Sequence, residues 1–509
     1  YSEKDYSKIK SWFLESKLSF ELEKRLKIFL KHITKPLAVR SSSLFEDSIT
    51  RPFSGVFDTF IIPNNHPEFR QRLKQLQDAI KLVFASIYSN EARNYFQAVG
   101  HKMEEEKMAV ILQELVGNPY ENYYYPHISG IAQSHNFYPV AHMKPEEGFA
   151  MAAVGLGQYV VDGEQAYRFS PSYPKLQICS TKDLVKTSQT SFYAVDLDNK
   201  DIDLMHVSHG GLVKLDIDKA ENHGNLKHCA SVYNPDNDRI EPGTDAKGPR
   251  VINFANILKF DYIPLAQSLN KILEVVKEAL GTEVEMEWAV DLNKLQQGLP
   301  SFYLLQIKPL VGHEEEQTIE IDNIDKKDCV LFSERSMGNG IVQNIRDVVF
   351  IDREKFDNNQ TMAMTREIEA MNYKMQQEGK KYILIGPGRW GTRDKFIGIP
   401  VVWSQISNAA VIVEIGLKDF PLEASLGSHF FHNLTSMNVG YLSIADNTGN
   451  NFINWKTLDQ QPIINQTEYF KHVEFKNPLQ IIMNGKKMKS AVVADDLENT
   501  GKMDNQIIF

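Results

Sequence analysis

The sequence predicts an α+β fold in two parts, and three features of the 509-residue chain support this prediction. Amphipathic helices are expected at residues 70–88 and 264–280, where apolar side chains recur every three to four positions. Between residues 128 and 178, short apolar runs alternate with Gly-rich turns, a pattern typical of strands joined by hairpins. A charged stretch at 311–327 has weak apolar patterning and predicts a solvated linker.

These patterns divide the chain into four segments. Residues 1–35 predict a helical segment, and residues 36–312 a first domain of mixed helices and strands. Residues 313–328 form the linker, and residues 329–509 predict a separate α/β C-terminal domain. The elements expected in that last domain are strands near 329–332, 347–351, 381–385 and 410–415, and a helix at about 362–378.

The charge and composition exclude some classes of partner. The net charge of −10 provides no general attraction for nucleic acid or for an anionic membrane. A membrane span is not expected, because no run reaches about 18 apolar residues. The most apolar stretch, 409–417, is short and contains Glu414, so it predicts a buried strand.

The three cysteines lie far apart, which excludes a dense disulfide framework and favours a reducing, cytoplasmic location. The sequence starts at Tyr1, directly in a helical pattern, and we expect it to be a piece of a longer protein.

The run 37–43, Leu-Ala-Val-Arg-Ser-Ser-Ser, places Arg40 at the end of a predicted strand beside hydroxyl groups. A guanidinium in this setting is suited to hold a polyphosphate. The alternative is that Arg40 pairs with Glu46 or Asp47 in a turn.

Two glycines, Gly155 and Gly157, follow another apolar run. Glycine lets a ligand approach the backbone closely, although taken alone such a pair more often marks a turn.

Two predicted strands carry polar residues at alternate positions. Glu285 and Glu287 share one face of the first strand, and Gln306 and Lys308 share one face of the second. Two adjacent carboxylates repel each other unless a cation lies between them, and Mg²⁺ prefers oxygen ligands and substrate phosphates. Lys308 would then balance phosphate charge. The alternative is a pair of solvent-facing acidic residues on a half-buried strand.

Taken together and in order, these segments resemble the nucleotide-binding domain of phosphoenolpyruvate synthase and pyruvate phosphate dikinase. The resemblance covers about residues 36–310. The matching segments are 38–42 (A-V-R-S-S), 54–60, 110–116, 129–132 (S-G-I-A), 155–163 and 285–289 (E-M-E-W-A) with 305–309 (L-Q-I-K-P).

The resemblance implies an ATP-grasp fold that binds ATP and Mg²⁺. It implies that Arg40 contacts phosphates, that the segment with Gln113, Glu114 and Val116 lies at the adenine, and that Gly155 and Gly157 border the nucleotide. It also implies that Glu287 and Gln306 bind magnesium and nucleotide, with Glu285 and Lys308 beside them. The family transfers a phosphoryl group from ATP to a histidine on a mobile domain and then to pyruvate.

Several family features differ or are absent. The Gly-Gly-Lys element with a phosphate-binding lysine is not found in residues 1–35, and a preceding part of the protein could carry it. Glu285 and Lys308 stand where the family has Asp and Arg; Lys retains the charge but not the bidentate geometry. The segment carrying the phosphorylated histidine and the pyruvate-binding barrel are also missing, so this chain does not encode the full dikinase reaction.

The C-terminal region contains two further candidates. Residues 385–392, Ile-Gly-Pro-Gly-Arg-Trp-Gly-Thr, could bind an anion through backbone N–H groups, or form a rigid turn in which Trp390 fills a core. His429 follows Gly-Ser and is a candidate catalytic or phosphorylated histidine, although most such histidines are hydrogen-bonded in a core.

The predicted function is therefore the kinase half of a phosphotransferase. Arg40 and Lys308 would act at the phosphates, and the acceptor histidine would be His429 or one in a domain outside this chain, with pyruvate as a further partner. Two alternatives stay open: a nucleotide-sensing module without phosphoryl transfer, and an ATP-grasp ligase that activates a carboxylate.

Overall fold

The chain folds into two compact units, residues 1–310 and residues 311–509. The computed structural model describes most of both units. The described residues are 5–43, 56–99, 102–136, 143–177, 181–205, 211–293, 299–310, 321–322, 324–338, 340–392, 394–417, 420–422, 434, 439–445, 451–485 and 487–494.

The first unit combines α-helices with antiparallel sheets. Its described helices are α1 Tyr6–Glu15, α2 Phe20–His32, α3 Phe69–Ala85, α4 Asn90–Val99, α5 Gln158–Val161, α6 Thr181–Lys186, α7 Ile217–Asn222, α8 Ala255–Leu258 and α9 Leu265–Leu280. Its described strands are β1 Leu37–Ser43, β2 Phe60–Ile62, β3 Met108–Glu114, β4 Asn118–Tyr120, β5 Tyr123–Tyr125, β6 Ile128–Gln133, β7 Phe149–Ala153, β8 Tyr167–Phe169, β9 Ser191–Asp196, β10 Leu212–Asp216, β11 Ala230–Asn234, β12 Arg239–Pro242, β13 Arg250–Ile252, β14 Val284–Asp291 and β15 Ser301–Pro309.

A three-stranded sheet in the order β2-β1-β3 carries helices on one face. Leu37 and Val39 of β1 pack into a core with Leu76 of α3 and Leu30 of α2. Because successive side chains of a strand point to opposite faces, Arg40 lies on the other face of the sheet. The amphipathic pattern of β1 therefore aims Arg40 away from the helices.

A five-stranded antiparallel sheet in the order β15-β14-β6-β7-β8 forms the centre of the first unit. Met286 and Trp288 of β14 pack in its core with Leu269 and Leu273 of α9. Glu285, Glu287 and Asp291 therefore share the opposite face of β14. A four-stranded sheet, β10-β9-β5-β4, and a three-stranded sheet, β12-β11-β13, complete the unit's described strands.

The second unit is built on one large mixed sheet. Strands β18, β19, β22 and β23 run parallel, and helix α10 connects the first two of them. Strands β26 and β27 extend the sheet in antiparallel fashion. Its described elements are β16 Cys329–Ser333, β17 Ser336–Met337, β18 Gly340–Ile351, α10 Thr361–Gln377, β19 Tyr382–Pro387, β20 Arg389–Trp390, β21 Gly398–Ile399, β22 Ala409–Ile415, β23 Gly440–Ile444, β24 Phe452–Ile453, α11 Trp455–Asp459, β25 Ile463–Gln466, β26 Phe470–Asn484 and β27 Lys489–Ala494.

The predicted α+β fold class is confirmed, and the strands and the helix expected in the second unit are present, although β18 begins at Gly340 rather than near residue 347. The strand expected at 53–62 is shorter: β2 covers only 60–62, and residues 53–55 lie outside the described part. Ile321, which falls in the predicted linker, is buried with Cys329 and Phe332. No helix in the described residues is both long enough and apolar enough to cross a membrane.

Candidate functional site

Arg40 and Gln306 meet between the two main sheets of the first unit. Arg40 is on the face of β1 opposite to helices α2 and α3, and its Nη1 donates a hydrogen bond to Gln306 Oε1 over 3.0 Å. These residues are 266 positions apart in the sequence. The fold thus brings together two motifs that are connected in the sequence only by the family resemblance. The alternative partners of Arg40, Glu46 and Asp47, lie outside the described residues.

The polar residues of β14 and β15 form a compact charged group. In the antiparallel pairing, Glu287 is opposite Gln306 and Glu285 is opposite Lys308. Lys308 is 4% exposed, and its Nζ lies 2.9 Å from Glu287 Oε1. Glu285 is 1% exposed and accepts a hydrogen bond from Gln133 Nε2 of β6 at 2.5 Å. Since buried charged groups require polar partners, these contacts stabilise Glu285 and Lys308 inside the protein.

A bulge in β15 sets which of its side chains face the site. The register with β14 shifts between Glu287 and Trp288, so that Trp288 pairs with Leu304 and Leu305 is the extra residue. The register of β14 with β6 is unbroken from Glu285 to Val290. The bulge therefore turns Tyr303 to the same face as Gln306, which strict alternation would not allow.

A cavity of about 600 Å³ lies beside this charged group. Gln113, Glu114 and Val116 line one wall, and Tyr303, Leu304 and Leu305 line another. The backbone of Leu115 is engaged, because its N–H donates to Pro36 O and its C=O accepts from the Tyr124 hydroxyl. By contrast, the backbone N–H and C=O of Val116 form no hydrogen bond with another described residue. This segment therefore presents a backbone donor and acceptor at the wall of a cavity.

Asp291, at the end of β14, also lines the cavity and is 3% exposed. Its Oδ2 accepts from Asn118 Nδ2 at 2.8 Å, and its Oδ1 lies 3.1 Å from His127 Nδ1. Burial opposes the ionisation of Asp291, but hydrogen bonds from His127 and Asn118 outweigh it and lower the pKa of this carboxyl group. Asp291 was not among the residues predicted from the sequence, although its position two and four residues after Ala289 and Glu287 follows the alternation of β14.

The donor set is suited to magnesium. Glu287 and Gln306 are adjacent across two strands and offer oxygen ligands, and the Lys308 ammonium already lies against Glu287 as a positive charge. Within the described residues there is no group of three or more His, Cys, Asp or Glu side chains that could hold a metal ion. Mg²⁺ at phosphate sites needs only one or two protein ligands, because water and phosphate oxygens complete its shell.

Gly155 and Gly157 lie over the same face of the five-stranded sheet, since Ser129 Oγ of β6 donates to Gly155 O at 2.7 Å. Gly155 has φ +90°, and a Cβ there would lie 2.8 Å from both Phe192 Cδ2 and Tyr193 O. Packing alone therefore requires glycine at this position. At Gly157 the nearest atoms to such a Cβ are those of Ser129 at 3.8 Å, so the protein itself does not demand glycine there.

The two candidates of the C-terminal unit have different outcomes. The backbone N–H groups of residues 388–391 all donate within the protein, to Ile415 O, Ile397 O, Glu414 Oε1 and Ile399 O. Trp390 is fully buried and packs against Gly386. This loop is therefore a rigid turn in which Trp390 fills a core, and its N–H groups are not available to an anion. His429 lies outside the described residues.

Comparison with known proteins agrees with the sequence motifs. Over 134 residues the chain is 28% identical to "Uncharacterized phosphotransferase YvkC" of Bacillus subtilis (strain 168). This match covers 26% of the chain and only 14% of that protein. The family model of the pyruvate phosphate dikinase AMP/ATP-binding domain matches residues 1–328. The chain therefore belongs to the family defined by the pyruvate phosphate dikinase AMP/ATP-binding domain.

Proposed function

We propose that the first unit binds Mg²⁺-ATP and donates a phosphoryl group of the nucleotide to a histidine acceptor, with pyruvate as a later acceptor. The observation that supports this most is the position of the Arg40–Gln306 contact next to the cavity. Leu305 lines the cavity, and Gln306 is the next residue in the charged group. The cavity would hold the nucleoside, and the charged group would hold the phosphates.

At the nucleoside end, the backbone of Val116 would pair with the edge of the base. Its N–H and C=O form one donor and one acceptor side by side, which matches the adjacent acceptor and donor of adenine. Leu304 and Leu305 would cover the ring, because ligand cavities bury most of a bound molecule behind apolar side chains.

At the phosphate end, Arg40 can bind two phosphate oxygens at once through its planar guanidinium. Lys308 would supply a second positive charge beside the phosphates. Glu287 and Gln306 would hold Mg²⁺, which when bound neutralises phosphate charge. Phosphoryl transfer needs mainly positioning and charge stabilisation from the protein, and these residues provide both. Gly157 leaves open space beside Ser129 for close approach of the ligand.

Two histidines could act as the acceptor of the phosphoryl group. His429 is one candidate within the chain, and a phosphohistidine domain elsewhere in the protein is the other. The relative in Bacillus subtilis is described as a phosphotransferase, and it is much longer than the matched segment. A donor half that serves a separate acceptor is consistent with that difference in length.

The site assignment is tested by calorimetric titration of Mg²⁺-ATP into the wild-type chain and into Glu287→Gln. We expect the substitution to weaken binding by roughly tenfold or more, because it removes a charge that the metal requires. Glu283→Gln is the matched control, since Glu283 pairs with Lys277 just before β14 and lies outside the charged group. Equal affinity of the wild type and Glu287→Gln would show that the site is misassigned.

The transfer step is tested by incubation with Mg²⁺-ATP labelled in its β- and γ-phosphates. The proposal predicts a base-stable, acid-labile phosphate on the chain or on an added phosphohistidine domain of the same protein. Tight ATP binding without any such phosphate would favour the nucleotide-sensing alternative.

A further inference from the structure

The distance between two residues of strand β14 can be compared with the length of the proposed nucleotide. Glu287 lies in the charged group, and Asp291 lies at the cavity on the same face of the strand. Four residues of β-strand span about 13 Å. In an extended nucleoside triphosphate, the sugar and the inner phosphate separate the outer phosphates from the base by a similar distance. If the phosphates lie at Glu287, Asp291 is therefore level with the base.

We propose that Asp291 is a specificity-determining residue that reads the base and selects a 6-aminopurine over a 6-oxopurine. This inference rests on the proposed function, and it adds a residue and a selection rule to it. A carboxylate can only accept hydrogen bonds, so it favours a ligand group that donates them. The exocyclic amino group of adenine has two N–H donors, one for the Val116 carbonyl and one for Asp291.

The surroundings of Asp291 keep the carboxylate ionised and fixed. Asn118 donates to one oxygen, while the backbone N–H of Asn293 donates to the other at 2.9 Å. His127 lies against that second oxygen and contacts the Tyr120 hydroxyl through Nε2 at 3.4 Å. Asn118 lines the same cavity. Asn118 and His127 are positioning residues, because they hold the carboxylate at the wall without replacing it.

A 6-oxopurine would be rejected for two reasons. Its oxygen at position 6 has no proton to donate, and its lone pairs would face a buried negative charge. Sites built to bond an N–H group reject analogues that lack it, because the buried partner is left without a hydrogen bond. Inosine triphosphate differs from ATP at this position while retaining the ribose and the phosphates, so it is the appropriate probe.

The experiment compares Mg²⁺-bound ATP, inosine triphosphate and N6,N6-dimethyl-ATP by calorimetry on the full chain. The wild type should bind ATP roughly tenfold to hundredfold more tightly than either analogue. In Asp291→Asn, the preference should fall to within about threefold. Asp236→Asn is the control and should keep the full preference, because Asp236 is an exposed residue of the β11–β12 turn and does not line the cavity.

Two further measurements test the role of Asp291 if Asp291→Asn does not fold. The comparison of nucleotides on the wild type needs no substitution. Asn118→Ala leaves the carboxylate in place and removes one of its donors, so it should reduce the preference without abolishing it. Equal binding of ATP and inosine triphosphate by the wild type, or a preference that survives in Asp291→Asn, would overturn the role of Asp291 alone. Absence of ATP binding to the wild type would overturn the proposed function along with it.

Discussion

At the scale of single residues, the site depends on how buried charges are balanced. Lys308 is almost fully buried and contacts Glu287, whose side chain is 21% exposed. Glu285 is buried beside them and bonds Gln133. A buried charge that loses its partner is costly, whereas an exposed ion pair contributes little. Lys308 therefore has a structural role before nucleotide binds and a proposed chemical role afterwards.

Replacing Lys308 by Met should reveal this structural role. In the absence of nucleotide, we expect the unfolding free energy of the first unit to fall by about 3 kcal/mol, because Glu287 loses its buried cation. Lys277→Met is the control: it breaks a more exposed pair with Glu283 and should cost less than about 1 kcal/mol. Urea denaturation measures both values.

The effect of Mg²⁺ without nucleotide on the stability of Lys308→Met distinguishes a loss of charge balance from a loss of packing. In Lys308→Met the vacated position beside Glu287 should favour Mg²⁺, so the ion should restore more stability to this variant than to the wild type. If Mg²⁺ stabilises the two proteins equally, the position of the Lys308 ammonium group is not one that a metal cation can occupy.

At this scale, short motifs allowed the sequence to single out residues that the structure brings into contact, Arg40 with Gln306 and Lys308 with Glu287. Arg40, Glu287 and Lys308 each stand in a local pattern that has a chemical reading. The contact of Asn118 with Asp291 joins residues 173 positions apart, and no local pattern connects them. Which of the assigned residues bind nucleotide stays a prediction.

At the scale of elements, the β15 bulge and the loop that contains Gly155 and Gly157 shape the proposed site. The bulge at Leu305 lets Tyr303 and Gln306 share a face, and it could not be predicted because residues 302–305 are all apolar and hide the change in alternation. The short strands around the glycine loop were predicted from its turns. The G-x-G pattern does not reveal that only Gly155 is required by packing.

The two glycines should respond differently to alanine. Gly155→Ala places a Cβ at φ +90° and 2.8 Å from a backbone oxygen, so we expect a loss of about 3 kcal/mol or more in stability. Gly157→Ala should change stability by less than about 0.5 kcal/mol, since its backbone is helical and the space is open.

Gly157→Ala, the variant with little effect on stability, should be the one that affects nucleotide binding. Gly157→Ala should weaken Mg²⁺-ATP, because a methyl group would occupy the space proposed for the ligand. Thermal denaturation and calorimetry of the same samples measure the two effects. If Gly157→Ala leaves the affinity unchanged, the loop does not approach the nucleotide.

At the scale of the whole molecule, the chain comprises two units with different sheets and separate cores. The antiparallel sheets of the first unit hold the proposed site, while the second unit is a mixed sheet with a buried, hydrogen-bonded Gly-Pro-Gly-Arg-Trp turn. The order of the described strands in that sheet was not predictable, because β16 pairs with β27 and β18 pairs with β26 across long sequence separations. The predicted boundary between the domains stays a prediction that calorimetry can examine.

Differential scanning calorimetry should therefore show two transitions, of which only one responds to nucleotide. Mg²⁺-ATP at about one hundred times its dissociation constant adds about 2.7 kcal/mol of stability to the unit that binds it. For a unit of this size, that corresponds to a rise of about 5 °C in its Tm. Glu287→Gln identifies the transition, because a roughly tenfold weaker affinity should reduce the shift of its first unit to about half while its second unit melts as in the wild type. A single transition, or an equal shift of both, would mean that the two units unfold together and that nucleotide binding stabilises the whole chain.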